Sequence, residues 1–227
     1  MTVENKILAK ASELFDVCGA TIQQDGRTLL IVGLESTAER NLDEFVHKSG
    51  NFIMLGFRTY AAPKLEALIN FIHKKKFSAV LAGPYGYPLE GEINLKNEAI
   101  RAGLGKRGKN TLVLHPEFGH RLRFMGIYTS AVLTEALRSA DINEKENATC
   151  RNCSICIDIC PIKALEPYRM IKRDTCLSNV SPQTANGRSA LCDKCVTYCP
   201  AGLKIKKITK APKPTRKKTT PDTNDGS

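Results

Sequence analysis

Residues 150–161 read CRNCSICIDICP, and residues 192–200 read CDKCVTYCP. The first stretch has the spacing C-x2-C-x2-C-x3-C-P, which is typical of bacterial ferredoxins: three cysteines of a tight loop bind one iron–sulfur cluster, and the fourth binds another. The second stretch repeats the last three cysteines and the proline, and Cys176 is the one candidate for the cysteine that it lacks. The spacing therefore predicts two [4Fe–4S] clusters.

The repeat also predicts which cysteines share a cluster, because the last cysteine of each stretch points away from the loop before it. The predicted ligands of cluster 1 are Cys150, Cys153, Cys156 and Cys199. The predicted ligands of cluster 2 are Cys160, Cys176, Cys192 and Cys195. This assignment uses eight of the nine cysteines and leaves out Cys18.

Three other roles for clustered cysteines fit this sequence less well. Paired C-x2-C units can hold structural zinc, but zinc sites do not require the C-P ends. Disulfides are disfavoured because the N-terminus has no apolar signal core, so we expect a cytoplasmic protein whose thiols stay reduced. The C-x3-C-x2-C order of radical enzymes that use S-adenosylmethionine is absent, and no run of about 18 apolar residues predicts a membrane span.

The chain before the cysteines has the pattern of an α+β domain, which we place at residues 1–138. A helical stripe runs from Ile7 to Cys18, and Asp25-Gly26 predicts the turn of a hairpin. A short helix is predicted over residues 41–48, followed by a buried strand at NFIMLGF. Further helices are predicted around residues 65–74 and 95–102, and strands at FSAVLAG, TLVLH and FMGIYTSAVL.

The remaining chain divides into a ferredoxin-like two-cluster domain, residues 139–205, and a basic tail, residues 206–227. The sequence carries a net charge of +11, and from Lys204 onward Lys and Arg outnumber Asp eight to two. The tail has no apolar periodicity and is predicted to be disordered. It serves either solubility or attraction to RNA, and the sequence leaves both open.

The segment from Gly103 to Asn110, GLGKRGKN, matches G-x-G-x-x-G and nearly matches a phosphate-binding loop. Both nucleotide motifs require a strand before the glycines and a helix after them, since the helix N-terminus binds the phosphate. Here the predicted order is the reverse. The segment is therefore predicted to be a helix stop and turn, with an anion-approach loop as the alternative. His115 and His120 flank the next turn, where one of them could face a cofactor.

Residues 96–133, KNEAIRAGLGKRGKNTLVLHPEFGHRLRFMGIYTSAVL, followed by the cysteine stretches, resemble the epoxyqueuosine reductase family and the wider group that includes reductive dehalogenases. The resemblance runs from Leu95 to about Leu203 and indicates a shortened form. It implies a nitroreductase-like α/β domain that holds cobalamin beside the ferredoxin-like domain. In this family, electrons pass through the clusters to cobalt, which reduces an organic substrate, in the namesake enzyme an epoxide of a tRNA nucleoside.

The resemblance also implies site residues. The residues expected to border the cofactor pocket are Arg101, Gly103, Gly105, Gly108, Lys109 and Asn110. The family's catalytic aspartate lies about a dozen residues before RAGLG, where this chain reads GYPLEGEINLKNEAI and has no aspartate. Glu90 is the candidate proton donor in that stretch; its alternative role is an exposed loop carboxylate.

Two functions follow as expectations. The first is an iron–sulfur oxidoreductase that passes electrons through two [4Fe–4S] clusters to a bound corrinoid or an organic substrate, which could be a small molecule or a nucleoside. The second is a non-catalytic ferredoxin-type protein that docks a partner enzyme. Both imply an electron donor such as a ferredoxin or flavodoxin, and RNA remains an additional possible partner through the tail.

Overall fold

The centre of the protein is a four-stranded antiparallel sheet in the order β1–β2–β8–β5. The computed structural model describes residues 2–48, 51–86, 93–142, 147–183 and 188–201. The four strands are β1 (Val17–Ile22), β2 (Thr28–Glu35), β5 (Ala79–Leu81) and β8 (Leu122–Thr129). The hairpin between β1 and β2 turns at Gly26, whose φ of 82° favours glycine, so the hairpin prediction is confirmed.

The sheet is covered on both faces, which explains the continuous apolar run LLIV in β2. Side chains alternate across a strand. Leu30, Val32 and Leu34 accordingly pack against the first two helices of the chain, while Leu29 and Ile31 pack against the third helix on the opposite face. All five side chains are fully buried. The layers are therefore two helices, one sheet and one helix, a mixed helix-and-sheet fold as predicted.

The three helices are α1 (Val3–Leu14), α2 (Ala62–Lys74) and α3 (Leu95–Arg101). Helix α2 continues directly from a π-helical turn, Phe57–Ala61. Helix α3 is capped at its N-terminus by Asn94, whose side chain accepts a hydrogen bond from the Asn97 amide. Beyond its last residue, Arg101, the chain turns away at Gly103, which has a φ of 76°, and the Leu104 amide donates to the Ala99 carbonyl.

A second antiparallel sheet joins distant parts of the chain in the order β11–β12–β3–β4. Its strands are β3 (Glu44–Lys48), β4 (Asn51–Ile53), β11 (Val180–Gln183) and β12 (Arg188–Leu191). The β11–β12 hairpin lies between Cys176 and Cys192 in the sequence, and β12 pairs with Glu44 and Phe45 of β3. This sheet ties the chain between two cysteines to the N-terminal half.

Short elements complete the described chain. They are β6 (Lys106–Arg107), β7 (Val113–Leu114), α4 (Ile155–Asp158), β9 (Leu165–Glu166), β10 (Arg169–Met170), α5 (Arg173–Ser178) and α6 (Lys194–Thr197). Strands β6 and β7 pair with each other, as do β9 and β10. Within the described ranges, no helix has the length and apolar composition needed to cross a bilayer.

Three sequence predictions are wrong in detail. The helix over residues 41–48 is strand β3, because its backbone pairs on both sides, with β4 and with the distant β12. Helix α1 ends at Leu14, so Cys18 lies in β1 and is half-buried rather than on the helix stripe. NFIMLGF forms a strand only over β4, and the following residues enter the π-helical turn.

Candidate functional site

Two cavities are lined by cysteines from the second half of the chain. The cysteines of the first cavity are Cys150, Cys153, Cys156 and Cys199. Those of the second cavity are Cys160, Cys176, Cys192 and Cys195. These are the same two groups of four that the spacing predicts; that each group binds a cluster stays a prediction.

Two short helices of matching construction carry cysteines to both cavities. Helix α4 carries Cys156 and helix α6 carries Cys195, each at its second position. In α4 the hydroxyl of Ser154 donates to the Asp158 carboxylate over 2.6 Å, and in α6 the Thr197 hydroxyl donates to Asp193 over 2.9 Å. In both helices the N-cap side chain is hydrogen-bonded to the side chain four residues later, although the donor is the N-cap in α4 and the later residue in α6. The sequence repeat is therefore also a repeat of local structure.

The last cysteine of each run crosses to the other cavity. Cys160 follows α4 directly, yet it lines the second cavity, and Cys199 follows α6 but lines the first. In the described residues, no three His, Cys, Asp or Glu side chains are grouped closely enough for a single metal ion. The cysteines instead surround the two cavities.

Four of the cavity thiols are poorer acids than an ordinary cysteine, because their pKa values are raised. Burial, followed by the neighbouring cysteines, raises the pKa of Cys156 to about 11 and that of Cys195 to about 12. Burial also raises the pKa of Cys176 and Cys199. A desolvated thiolate beside other thiolates is costly unless a positive charge compensates it. Four thiolates therefore require a cationic group in each cavity.

Lys109 and Asn110 contact the cysteine loops directly. The Lys109 ammonium donates to the carbonyls of Arg151, at 3.2 Å, and Cys153, at 3.0 Å. The Asn110 amide, which is almost fully buried, donates to the Cys195 carbonyl over 3.0 Å. Both residues also line the first cavity. Two adjacent residues of the N-terminal half thus hold one loop from each cysteine stretch.

The other residues expected at a cofactor pocket lie along the same segment. Arg101 is half-buried, and its guanidinium bonds to the buried carboxylate of Glu98 over 2.5 Å. Gly103 ends helix α3, and Gly108 begins the turn that positions Asn110. Because helix α3 precedes the glycines and β7 follows them, the segment lacks the strand-to-helix order of a nucleotide loop.

Gly105 gives the segment its tightest backbone contact. It has a φ of 141°, and a Cβ placed there would lie 2.6 Å from the Leu114 carbonyl oxygen. We expect Gly105→Ala to lower the free energy of unfolding by about 3 kcal/mol, from backbone strain and overpacking together. Gly26→Ala is the matched control, since its φ of 82° is also positive but its Cβ would meet nothing within 4 Å. Urea denaturation showing equal losses for both variants would contradict this reading.

His120 lies beside the first cavity. It is 7% exposed, its Nδ1 has no hydrogen-bond partner among the described residues, and the Cys199 backbone is a neighbour. Burial, with Arg123 and Arg121 nearby, lowers its pKa. His115 instead caps its own turn, where its Nδ1 accepts from the Glu117 amide over 3.1 Å. Glu90, the candidate proton donor, lies outside the described residues.

The hydrogen bonds from Lys109 and Asn110 to the cysteine loops were not predicted from the sequence, because their carbonyl acceptors lie 42 to 85 residues further along the chain. A local signal was nevertheless present. A Lys-Asn pair directly after a glycine turn, in a chain with two cysteine runs, supplies hydrogen-bond donors for the carbonyls of cluster-binding loops.

The chain is similar in sequence to epoxyqueuosine reductases and to a reductive dehalogenase. The chain is 27% identical over 198 residues to an epoxyqueuosine reductase of Lactococcus garvieae, a match that covers 78% of this chain and 52% of the relative. It is 32% identical over 131 residues to that of Atelocyanobacterium thalassa, covering 52% and 41%. A tetrachloroethene reductive dehalogenase of Desulfitobacterium hafniense is 31% identical over 90 residues, covering 38% and 16%. No protein-family model matches the chain.

Solved structures agree in fold. An epoxyqueuosine reductase of Bacillus subtilis superposes with a TM-score of 0.58 at 16% identity, covering 88% of this chain and 65% of that one. The Streptococcus thermophilus enzyme gives 0.56 at 16% identity, covering 89% and 66%. Another epoxyqueuosine reductase structure, which also gives a TM-score of 0.58, contains an epoxyqueuosine-modified tRNA stem loop.

The chain spans about half the length of the L. garvieae reductase. Within that span, the aligned sequences and the shared mixed helix-and-sheet fold agree with the resemblance carried by RAGLG, GKN and the cysteine runs. In sequence and in fold, this chain is therefore similar to the epoxyqueuosine reductases.

Proposed function

We propose that this chain is an iron–sulfur oxidoreductase that carries electrons through two [4Fe–4S] clusters to a bound corrinoid or an organic substrate. The observation that carries the proposal is the pair of cavities, each lined by four cysteines, in a fold similar to epoxyqueuosine reductases. The named activities of two groups of relatives, epoxyqueuosine reduction and reductive dehalogenation, are both reductions of organic substrates and support the same class of reaction.

The cysteines fit the proposed clusters by number and by chemistry. Cysteine thiolates are the usual ligands of iron–sulfur clusters, four to each cubane. The raised pKa values of Cys156 and Cys195 mean that both thiols stay protonated at neutral pH unless a cation binds. When bound, the clusters would supply one-electron transfer. Ligand binding by these thiols would release protons, as at other thiolate metal sites.

Apolar packing around the thiols supports the redox proposal. Leu114, Ala201 and Tyr168 pack against Cys150 and Cys199 at the first cavity. Ala164, Leu165 and Met170 pack at the second. Such a shell excludes water and lowers the local dielectric, and both effects set the reduction potential of a cluster. The chain would thus supply an apolar environment for the clusters as well as their ligands.

The proposal extends to the layout of the chain. Residues 1–138 form the nitroreductase-like domain, residues 139–205 the ferredoxin-like domain and residues 206–227 the basic tail. Glu90 would donate a proton to the substrate. The residues that would border the corrinoid are Arg101, Gly103, Gly105, Gly108, Lys109 and Asn110. A cytoplasmic ferredoxin or flavodoxin would be the electron donor. A nucleoside substrate within RNA is supported by the tRNA stem loop bound to a structural relative.

The test is an anaerobic preparation of the full chain, with visible spectra recorded before and after cobalamin is added. We expect iron–sulfur absorption, a change in the corrinoid bands on binding, and cobalt reduction when dithionite is supplied. Clusters without any corrinoid change would remove the corrinoid from the proposal and leave direct reduction of a substrate.

A second candidate, electron transfer to a docked enzyme without turnover, is favoured by one surface. Ile155 and Tyr198 are 44% and 57% exposed, and each directly precedes a cysteine of the first cavity. If these side chains belong to one contiguous apolar patch, that patch would be suited to docking a partner. Copurification of one redox enzyme, with no reductase activity toward epoxides, organohalides or corrinoids, would favour this second function over the first.

A further inference from the structure

The Lys109 ammonium is held at the edge of the first cavity by contacts on both its side chain and its backbone. Its two acceptors, the carbonyls of Arg151 and Cys153, belong to the loop that carries three of the cavity cysteines. Its own carbonyl accepts from the Tyr168 amide over 3.1 Å. Half-buried and bonded in this way, the charge has a defined position relative to the thiols.

No other side chain described in the first cavity's lining carries a permanent charge. The rest of that lining consists of the four cysteines with Asn110, Thr149 and Pro200. Reduction adds one negative charge to a cluster and its four thiolates. A fixed positive charge at short range stabilises that added charge more than it stabilises the oxidised form.

We propose that Lys109 raises the reduction potential of the cluster in the first cavity, so that this cluster is easier to reduce than it would be without the lysine. The inference rests on the proposed function, because it requires a cluster at Cys150, Cys153, Cys156 and Cys199. A cluster held by these cysteines would accept one electron from a donor such as dithionite, and the Lys109 charge would stabilise the reduced form.

Three substitutions separate charge from hydrogen bonding. Lys109→Arg keeps the charge and the donors, Lys109→Gln keeps a donor without the charge, and Lys109→Met removes both. We expect Lys109→Gln and Lys109→Met to make reduction of one cluster about tenfold less favourable, a shift of about 59 mV to lower potential for a one-electron couple. Lys109→Arg should keep the reduction potential of the wild-type protein.

Lys172→Met is the matched control. The Lys172 ammonium also donates to a carbonyl of the cysteine region, that of Ile162 at 3.3 Å, but the residue is exposed and lines neither cavity. Its removal should leave both potentials unchanged, so that a loss of net charge alone is accounted for.

The measurement is a dithionite titration of each full-length protein, followed by visible absorption and electron paramagnetic resonance, with iron and sulfide quantified in the same samples. Wild-type protein without iron would defeat the proposed function before any variant is compared. Two clusters in every variant with unshifted potentials would overturn only the role of Lys109. Loss of the cluster from both neutral variants, with no shifted species, would also overturn it and leave Lys109 as a structural clamp.

Discussion

Replacing Cys156 and Cys199 together with serine is expected to remove about half of the bound iron, whereas replacing Cys195 and Cys199 together is expected to remove nearly all of it. Cys156 and Cys199 are 43 residues apart in the sequence but line the same cavity. Cys195 and Cys199 belong to one run, but Cys195 lines the second cavity and Cys199 the first. Serine keeps the size of the side chain and lacks the thiolate that a cluster requires.

Cys18→Ser is the control for this experiment, because Cys18 lies in strand β1 and lines neither cavity. Iron and sulfide per chain are the quantities to measure, on protein purified without oxygen. The opposite order, with half of the iron retained by the Cys195/Cys199 variant and none by the Cys156/Cys199 variant, would show that each cluster is bound by one contiguous run. Complete loss from Cys156→Ser alone would contradict two separate sites.

Removing the metal should make the stability of the protein sensitive to alkaline pH. The pKa of Cys156 rises to about 11 and that of Cys195 to about 12 in the folded chain without metal, from an ordinary value of 9.0. A folded-state pKa above the unfolded value favours folding fully below pH 9.0, and the contribution is lost as pH rises through the folded pKa. Metal-free protein should therefore lose stability steeply from about pH 9 upward.

The cluster-loaded protein should lack this loss, because its cysteines are already bound as thiolates and no longer titrate. Chemical denaturation at pH 8, 9 and 10, on protein before and after chelation, measures the difference between the two slopes. The metal-free Cys156→Ser/Cys195→Ser variant is the control and should lose most of the excess slope. Equal slopes for loaded and metal-free protein would contradict the burial of these thiols against one another.

The cysteine groups could be predicted from sequence because the ferredoxin spacing encodes a short-range geometry. A loop, a single helical turn and a proline place Cys156 within α4 and Cys160 just beyond its end, and the two cysteines line different cavities. The hairpin at Gly26 and the helix stop at Gly103 were predictable for a similar reason, since both depend on local backbone conformation.

The features that sequence did not predict depend on contacts between distant residues. Strand β3 has a sequence that also fits a helix, and its pairing with β12, far along the chain, decides the outcome. Likewise, the roles of Lys109 and Asn110 arise only once the cysteine loops fold against the glycine turn. Local propensity is a weak guide wherever tertiary pairing supplies the hydrogen bonds.

The central claim is that eight cysteines from two runs and an intervening residue enclose two cubanes. Quantifying iron, acid-labile sulfide and zinc in the full chain, purified without oxygen, tests it most directly. The account predicts a brown protein with about eight iron and about eight sulfide per chain and little zinc. A colourless protein holding about two zinc ions and no sulfide would contradict it.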